Sequence, residues 1–147
     1  MSLIPIPPAE TATDPINSTA DLRQRWRALM GELGFGERLL RFAFIGSDRR
    51  FIKVLTDVEI GPYPSPTVVD DLMSALSELL AGLGAGATVA LLLTRPGRGG
   101  PSDGDLRWAA VLSAAAQRLD LPIEPIFRAN DEALVQISPT QRTTHVR

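Results

Sequence analysis

The sequence predicts an α/β domain, a single mixed β-sheet of about five strands flanked by helices. Three observations carry this expectation. Apolar residues recur at helical spacing in some stretches, as at Leu22, Trp26, Leu29 and Leu33. Elsewhere they alternate or run continuously over strand lengths, most clearly in "TVALLLT", Thr88 to Thr94. Gly and Pro clusters separate the two kinds of stretch. The domain is expected over 19–137, between an extended Pro-rich arm (1–18) and a polar C-terminal tail (138–147).

The arm, "MSLIPIPPAETATDPINS", has prolines and no periodicity. The first helix follows, with Ser18 or Thr19 as its cap and Gly34 as its stop. "RLLRFAFIGSDRRFIKVLTDVEI" predicts a hairpin. Leu40, Phe42 and Phe44 alternate along its first strand, "GSDRR" turns, and Phe51 to Val58 return. Arg49 and Arg50 then form a basic point at the tip.

"GPYPSP" breaks the chain before a helix capped by Ser65, with Pro66 at its first position. Its buried stripe is expected to be Val69, Leu72, Leu76, Leu79 and Leu83. "GLGAGAT" ends it, and the "TVALLLT" strand follows centrally. A helix from about Asp103 to Leu119 presents Leu106, Ala109, Leu112 and Ala116, and "LPIEPIFRA" and "ALVQI" supply the last strands.

The composition excludes several functions. With 147 residues the chain is long enough for one real core. The absence of cysteine rules out disulfides, thiolate catalysis and cysteine–metal sites. A net charge of −2 supplies little drive toward nucleic acid or anionic membrane, so neither is an expected partner. No apolar run is longer than the five residues Val89 to Leu93, too short to span a bilayer. Without a secretory pattern at Met1 to Asp14, the expected compartment is the cytoplasm. Lys53 is the only lysine beside fourteen arginines, a bias of high-GC bacterial genomes.

The candidate site is the loop "TRPGRGGPSDGDL" at the carboxyl end of the central strand, the edge where open α/β sheets bind ligands. It is no P-loop, because no Gly-Lys pair exists. A weaker anion site is one reading: Arg95 and Arg98 precede a helix that starts at Ser102. The other reading is structural. Ser102 and Asp105 form a variant capping box, and the arginines pair with local acids.

"FIGSDRRFIKVL", a Ser/Pro-led helix and "VALLLTRPGRGGPSDGDL" together resemble the RadC branch of the JAB/MPN metalloprotease superfamily. The resemblance runs roughly from Arg41 to Ile137. Pro96 matches the proline after the family's His-x-His, and "PSDGD" matches its Pro-Ser-x-x-Asp. The resemblance implies a JAB-like fold and places the family's third zinc ligand on Asp105. The two histidine positions hold Leu93 and Arg95, and the spacing between half-motifs is one residue shorter.

A hydrolytic zinc site needs three protein ligands and a water. Leu93 binds no metal, Arg95 repels one, and His145, the single histidine, lies in the tail. No metal and no cofactor are therefore expected, and an Arg95–Asp105 ion pair is expected in the metal's place. The leading expectation is a non-catalytic interaction or small-anion-binding module that uses Arg95, Arg98, Ser102 and Asp105 for a protein partner or anion. The alternatives are a nucleotide- or small-molecule-binding enzyme using the same loop, and a structural homodimer joined through the arm or the Trp26 helix.

Overall fold

The computed structural model of the protein describes residues 6–52 and 55–138. Expectations that fall on Met1 to Pro5, on Lys53 and Val54, and on the tail from 139 with His145 lie outside these residues. Three α-helices and five strands follow the order α1 (Thr19–Met30), β1 (Leu39–Ile45), β2 (Thr56–Glu59), α2 (Pro66–Ala81), β3 (Thr88–Thr94), α3 (Asp103–Arg118), β4 (Ile126–Ala129) and β5 (Leu134–Ile137). The strands form one mixed sheet of order β2-β1-β3-β4-β5. β1 pairs antiparallel with β2 and β3, β3 pairs parallel with β4, and β4 pairs antiparallel with β5. The parallel β3–β4 pair needs a crossover, and α3 supplies it.

Side chains alternate across β3, so each face of the sheet has its own core. Val89, Leu91 and Leu93 pack with α2 and α3 around Met73, Leu76 and Leu112. Ala90 and Leu92 pack on the other face with Leu22 and Trp26 of α1. This explains why "TVALLLT" carries no polar interruption before Thr94. Among the described residues no helix is long and apolar enough to cross a membrane.

Several local expectations change in the folded chain. Ser18 caps α1, its hydroxyl accepting from the Asp21 amide at 3.0 Å. The helix ends at Gly31 rather than Gly34, because Gly31 takes the left-handed φ of 76° that stops it. Within the arm, Ala9–Thr13 winds into a 3-10 helix, and Ala12 and Ile16 are buried against the domain.

On α2 the buried residues are Val69, Met73, Leu76 and Leu80, while Leu72 is half-buried. Leu79 and Leu83 stay 57% and 44% exposed. The helix therefore meets the sheet one residue out of phase with the leucine stripe. Ser65 precedes α2 but makes no side-chain capping bond. On α3, Trp108 takes a core position and Leu106 is only half-buried.

The hairpin tip is a clamp rather than a free basic point. Arg49 sits at φ 64° and grips Glu124 with two guanidinium nitrogens at 2.8 and 3.3 Å. Its Nε donates to the Ile16 carbonyl at 3.0 Å, and Arg50 donates to the Thr13 carbonyl at 3.1 Å. These bonds hold the arm to the sheet. Burial pushes the Glu124 carboxyl up, but Arg49 and the Thr88 hydroxyl outweigh it and hold it below its usual range.

α3 docks closely against the segment before α2. Trp108 Nε1 donates to the Gly61 carbonyl at 3.1 Å. Gly104 lies so near that a Cβ there would stand 2.4 Å from the Pro62 carbonyl oxygen. Gly104→Ala should therefore lower stability by about 1–3 kcal/mol through overpacking. That loss should exceed the helix-propensity gain of about 1 kcal/mol that alanine brings. Urea unfolding measures the difference, and a stabilised variant would show that the 61–64 segment yields freely.

Candidate functional site

Leu93 and Arg95 are two residues apart at the end of β3, so both side chains face α3 while Thr94 faces the other core. Opposite them the first turn of α3 presents Asp105. Arg95 meets it edge-on: Nε to Oδ1 at 2.9 Å and Nη2 to Oδ2 at 2.9 Å. Both are buried, at 9% and 4% exposure. Arg95 also closes its own loop, donating to the carbonyls of Pro96 at 3.1 Å and Gly100 at 3.4 Å. The guanidinium is thus held on both edges by acceptors, as a buried charge requires.

Ser102 completes this arrangement. Its hydroxyl accepts from the Asp105 amide at 3.1 Å, and its amide donates to Asp105 Oδ2 at 3.0 Å. The two residues form a reciprocal capping box, satisfying donors at the helix start. Burial pushes the Asp105 carboxyl up. The hydrogen bonds from Arg95 and Ser102 and the charges of Arg95 and Arg128 overcome this, and hold it below the ordinary carboxylate range.

Three of the four residues singled out in the sequence thus come together: Arg95, Ser102 and Asp105. Arg98 does not join them. Its side chain is 74% exposed and lies 3.7 Å from Glu132. The loop amides are also engaged. Gly97 donates to Asp131 Oδ2 at 2.8 Å and Gly99 donates to Glu132 Oε1. Asp131 takes a third segment as well, accepting from the Phe35 amide at 3.1 Å. The backbone bonds from Gly97 and Phe35 hold its carboxyl below the usual range. Gly97 and Gly99 adopt φ of 103° and 94°, which turns their amides toward these acids.

Arg128, Asn130, Asp131 and Glu132 belong to the site and were not among the candidate site residues of the sequence. Arg128 lies in β4 beside Leu93 and is fully buried. Its Nη1 donates to the Gly99 carbonyl at 3.3 Å and stands 3.9 Å from Asp105 Oδ2. Asn130 donates to the same carbonyl at 3.0 Å. Burial pulls the Arg128 pKa down, and the Asp105 charge works against that pull. Asp131 and Glu132 lie between the last two strand stretches, and nothing local in the sequence shows that these acids reach a loop more than thirty residues away.

Beside Leu93, Arg95, Asp105 and Trp108 a cavity of about 10 Å³ remains, with Arg38 at its rim. That is room for about one water molecule. The residues do not fit a zinc ion: the space between Leu93 and Asp105 is taken by a fixed cation whose nitrogens donate and cannot ligate. Among the described residues no three His, Cys, Asp or Glu side chains gather as metal ligands. The chain matches no family model and no curated protein.

Breaking the pair takes two guanidinium hydrogen bonds from a buried carboxylate and leaves it the Ser102 amide and Arg128 at 3.9 Å. Arg95→Met should cost about 3 kcal/mol or more, and adding Asp105→Leu should recover much of it. A double-mutant cycle by chemical denaturation measures the coupling, and a value under about 0.5 kcal/mol would reduce the pair to a weak contact.

The pH dependence has a definite sign. The Asp105 pKa is depressed in the fold, so its contribution is complete above the unfolded value of about 3.9 and is lost as pH falls through the folded value. Stability should therefore fall on acidification below about pH 4, and Asp105→Asn should flatten that slope in urea titrations across the range.

Proposed function

We propose that this protein is a non-hydrolytic α/β domain, related to the RadC branch of the JAB/MPN superfamily and working as an interaction module. The supporting observation is the buried two-bond Arg95–Asp105 pair. It occupies the place where the resemblance puts a metal, and it leaves the neighbouring cavity at about 10 Å³. A hydrolytic site must admit substrate and water together, and this space has room for about one water alone. Asp105 is also unsuited to general base work, because Arg95 and Ser102 hold both of its oxygens.

The nucleotide-binding reading loses its donors. The amides of Gly97 and Gly99 are bonded to Asp131 and Glu132, and those carboxylates would repel a phosphate. What the loop offers outward is a short exposed ridge, 96–100, carrying the Arg98 guanidinium. In this proposal the ridge contacts a protein partner, with Arg98 favouring an acidic segment.

Metal analysis of the purified protein tests the reading. The wild type should retain no zinc after brief exposure and desalting. Leu93→His/Arg95→His places two imidazoles on one strand face toward Asp105, and should bind about one zinc per chain. Stoichiometric zinc in the wild type overturns the proposal. A double variant that folds yet takes up none removes the relation to the metalloprotease site.

A further inference from the structure

We propose that Arg128 is the anchor of a buried site for a small carboxylate, placed between β4 and the first turn of α3. The proposal does not depend on a relation to any metalloprotease. Arg128 points to the α3 side of the sheet, between Leu93 of β3 and Val135 of β5. Its exposure is 0%, among the largest fully buried side chains of the protein. Nη1 has the Gly99 carbonyl. Nε and Nη2 have no hydrogen-bond acceptor among the described residues.

The neighbouring acids are committed. Asp105 gives both oxygens to Arg95 and one also to Ser102. At 3.9 Å it is beyond hydrogen-bond reach of Arg128. Glu132 accepts from Gly99 and faces Arg98. Two guanidinium groups therefore share one buried carboxylate, beside the positive end of α3. Asp131 and Glu132 act on this pair from the exposed turn, and the Nε–Nη2 edge of Arg128 remains a buried donor edge without an acceptor, which is costly.

The chemistry of the ligand follows from which nitrogens are free. Nε and Nη2 form the side edge of a guanidinium, which donates two parallel bonds. Arg95 uses this same edge to hold Asp105, with both bonds at 2.9 Å. The same edge of Arg95 gives the pattern to which the Nε–Nη2 edge of Arg128 is suited to donate: two coplanar oxygens of one carboxylate. The roof over Arg128 is Gly99, part of the exposed 96–100 loop. That loop is fastened by the surface acids Asp131 and Glu132, so it is the element that must lift to admit a ligand.

The test uses the full chain and formate or acetate as probes, at constant ionic strength against chloride. Wild-type Tm should rise with formate and saturate, and the rise should vanish in Arg128→Met. That variant loses the Gly99 bond and the charge facing Asp105, so its response to formate is read against its own Tm in chloride. The Arg128 Nε–H resonance supplies a second readout in the wild type. Formate should move it saturably, whatever the variant does. A Tm that follows ionic strength alone overturns the site, as does a formate effect that survives in Arg128→Met or an unmoved Nε–H signal. A response to phosphate without one to formate overturns the carboxylate assignment. Zinc uptake by the Leu93→His/Arg95→His variant is a separate measurement, so either proposal can fail alone.

Discussion

The bidentate contact between Arg95 and Asp105 joins the residue just after the central strand to the first turn of the crossover helix. The geometry around it depends on this contact. A guanidinium at the end of β3 has to be neutralised where water does not reach, and only a carboxylate on the incoming helix supplies that. The helix therefore starts where Asp105 can face Arg95, and Ser102 becomes its cap. The intervening loop is then drawn closed, because the remaining Arg95 nitrogens take the carbonyls of Pro96 and Gly100. A loop of glycines follows from this closure. A Cβ at position 97 would stand 3.3 Å from Arg95 Nη1, on a backbone whose φ of 103° already disfavours one.

The same closure explains why the loop resembles an anion cradle in sequence and is not free to act as one. Left-handed glycines aim their amides to one side, as in phosphate-binding loops. Here the β4–β5 turn delivers Asp131 and Glu132 to those amides. The protein has filled its own cradle with carboxylates that are part of the chain. Asn130 supports the turn from within, accepting the amides of Glu132 and Ala133 at 3.0 Å each. The turn that carries the acids is thus braced by its own hydrogen bonds.

Features that depend on near neighbours in the chain were legible in the sequence, and features set by distant register were not. β3 spans Thr88–Thr94 as its unbroken apolar run predicts. The capping pair Ser102 and Asp105 are three residues apart, so their spacing carries their chemistry. The phase of α2 was hidden because leucines occupy two overlapping stripes. Leu72, Leu79 and Leu83 lie along one side, and Leu76, Leu80 and Met73 along another, and only contact with the sheet selects between them. Arg128 was hidden for a similar reason. An arginine in a four-residue strand reads as the exposed side of an alternation, and its burial follows from β5 pairing outside it and α3 crossing over it.

Two arginines on one carboxylate bring two fixed positive charges to the end of β3, the same charge that a divalent cation would bring. The chemical consequence differs. A metal ion has open coordination positions, binds water, and lowers that water's pKa so that hydroxide forms near neutral pH. A guanidinium has no such positions and only donates hydrogen bonds. It can hold an oxyanion with two parallel bonds and fix its orientation, but it cannot generate a nucleophile. The Arg95–Asp105–Arg128 cluster therefore carries hydrogen-bond donors where a metal ion would carry coordination positions. The Nε–Nη2 edge of Arg95 is spent on Asp105, and within this cluster the buried edge without an acceptor among the described residues is that of Arg128.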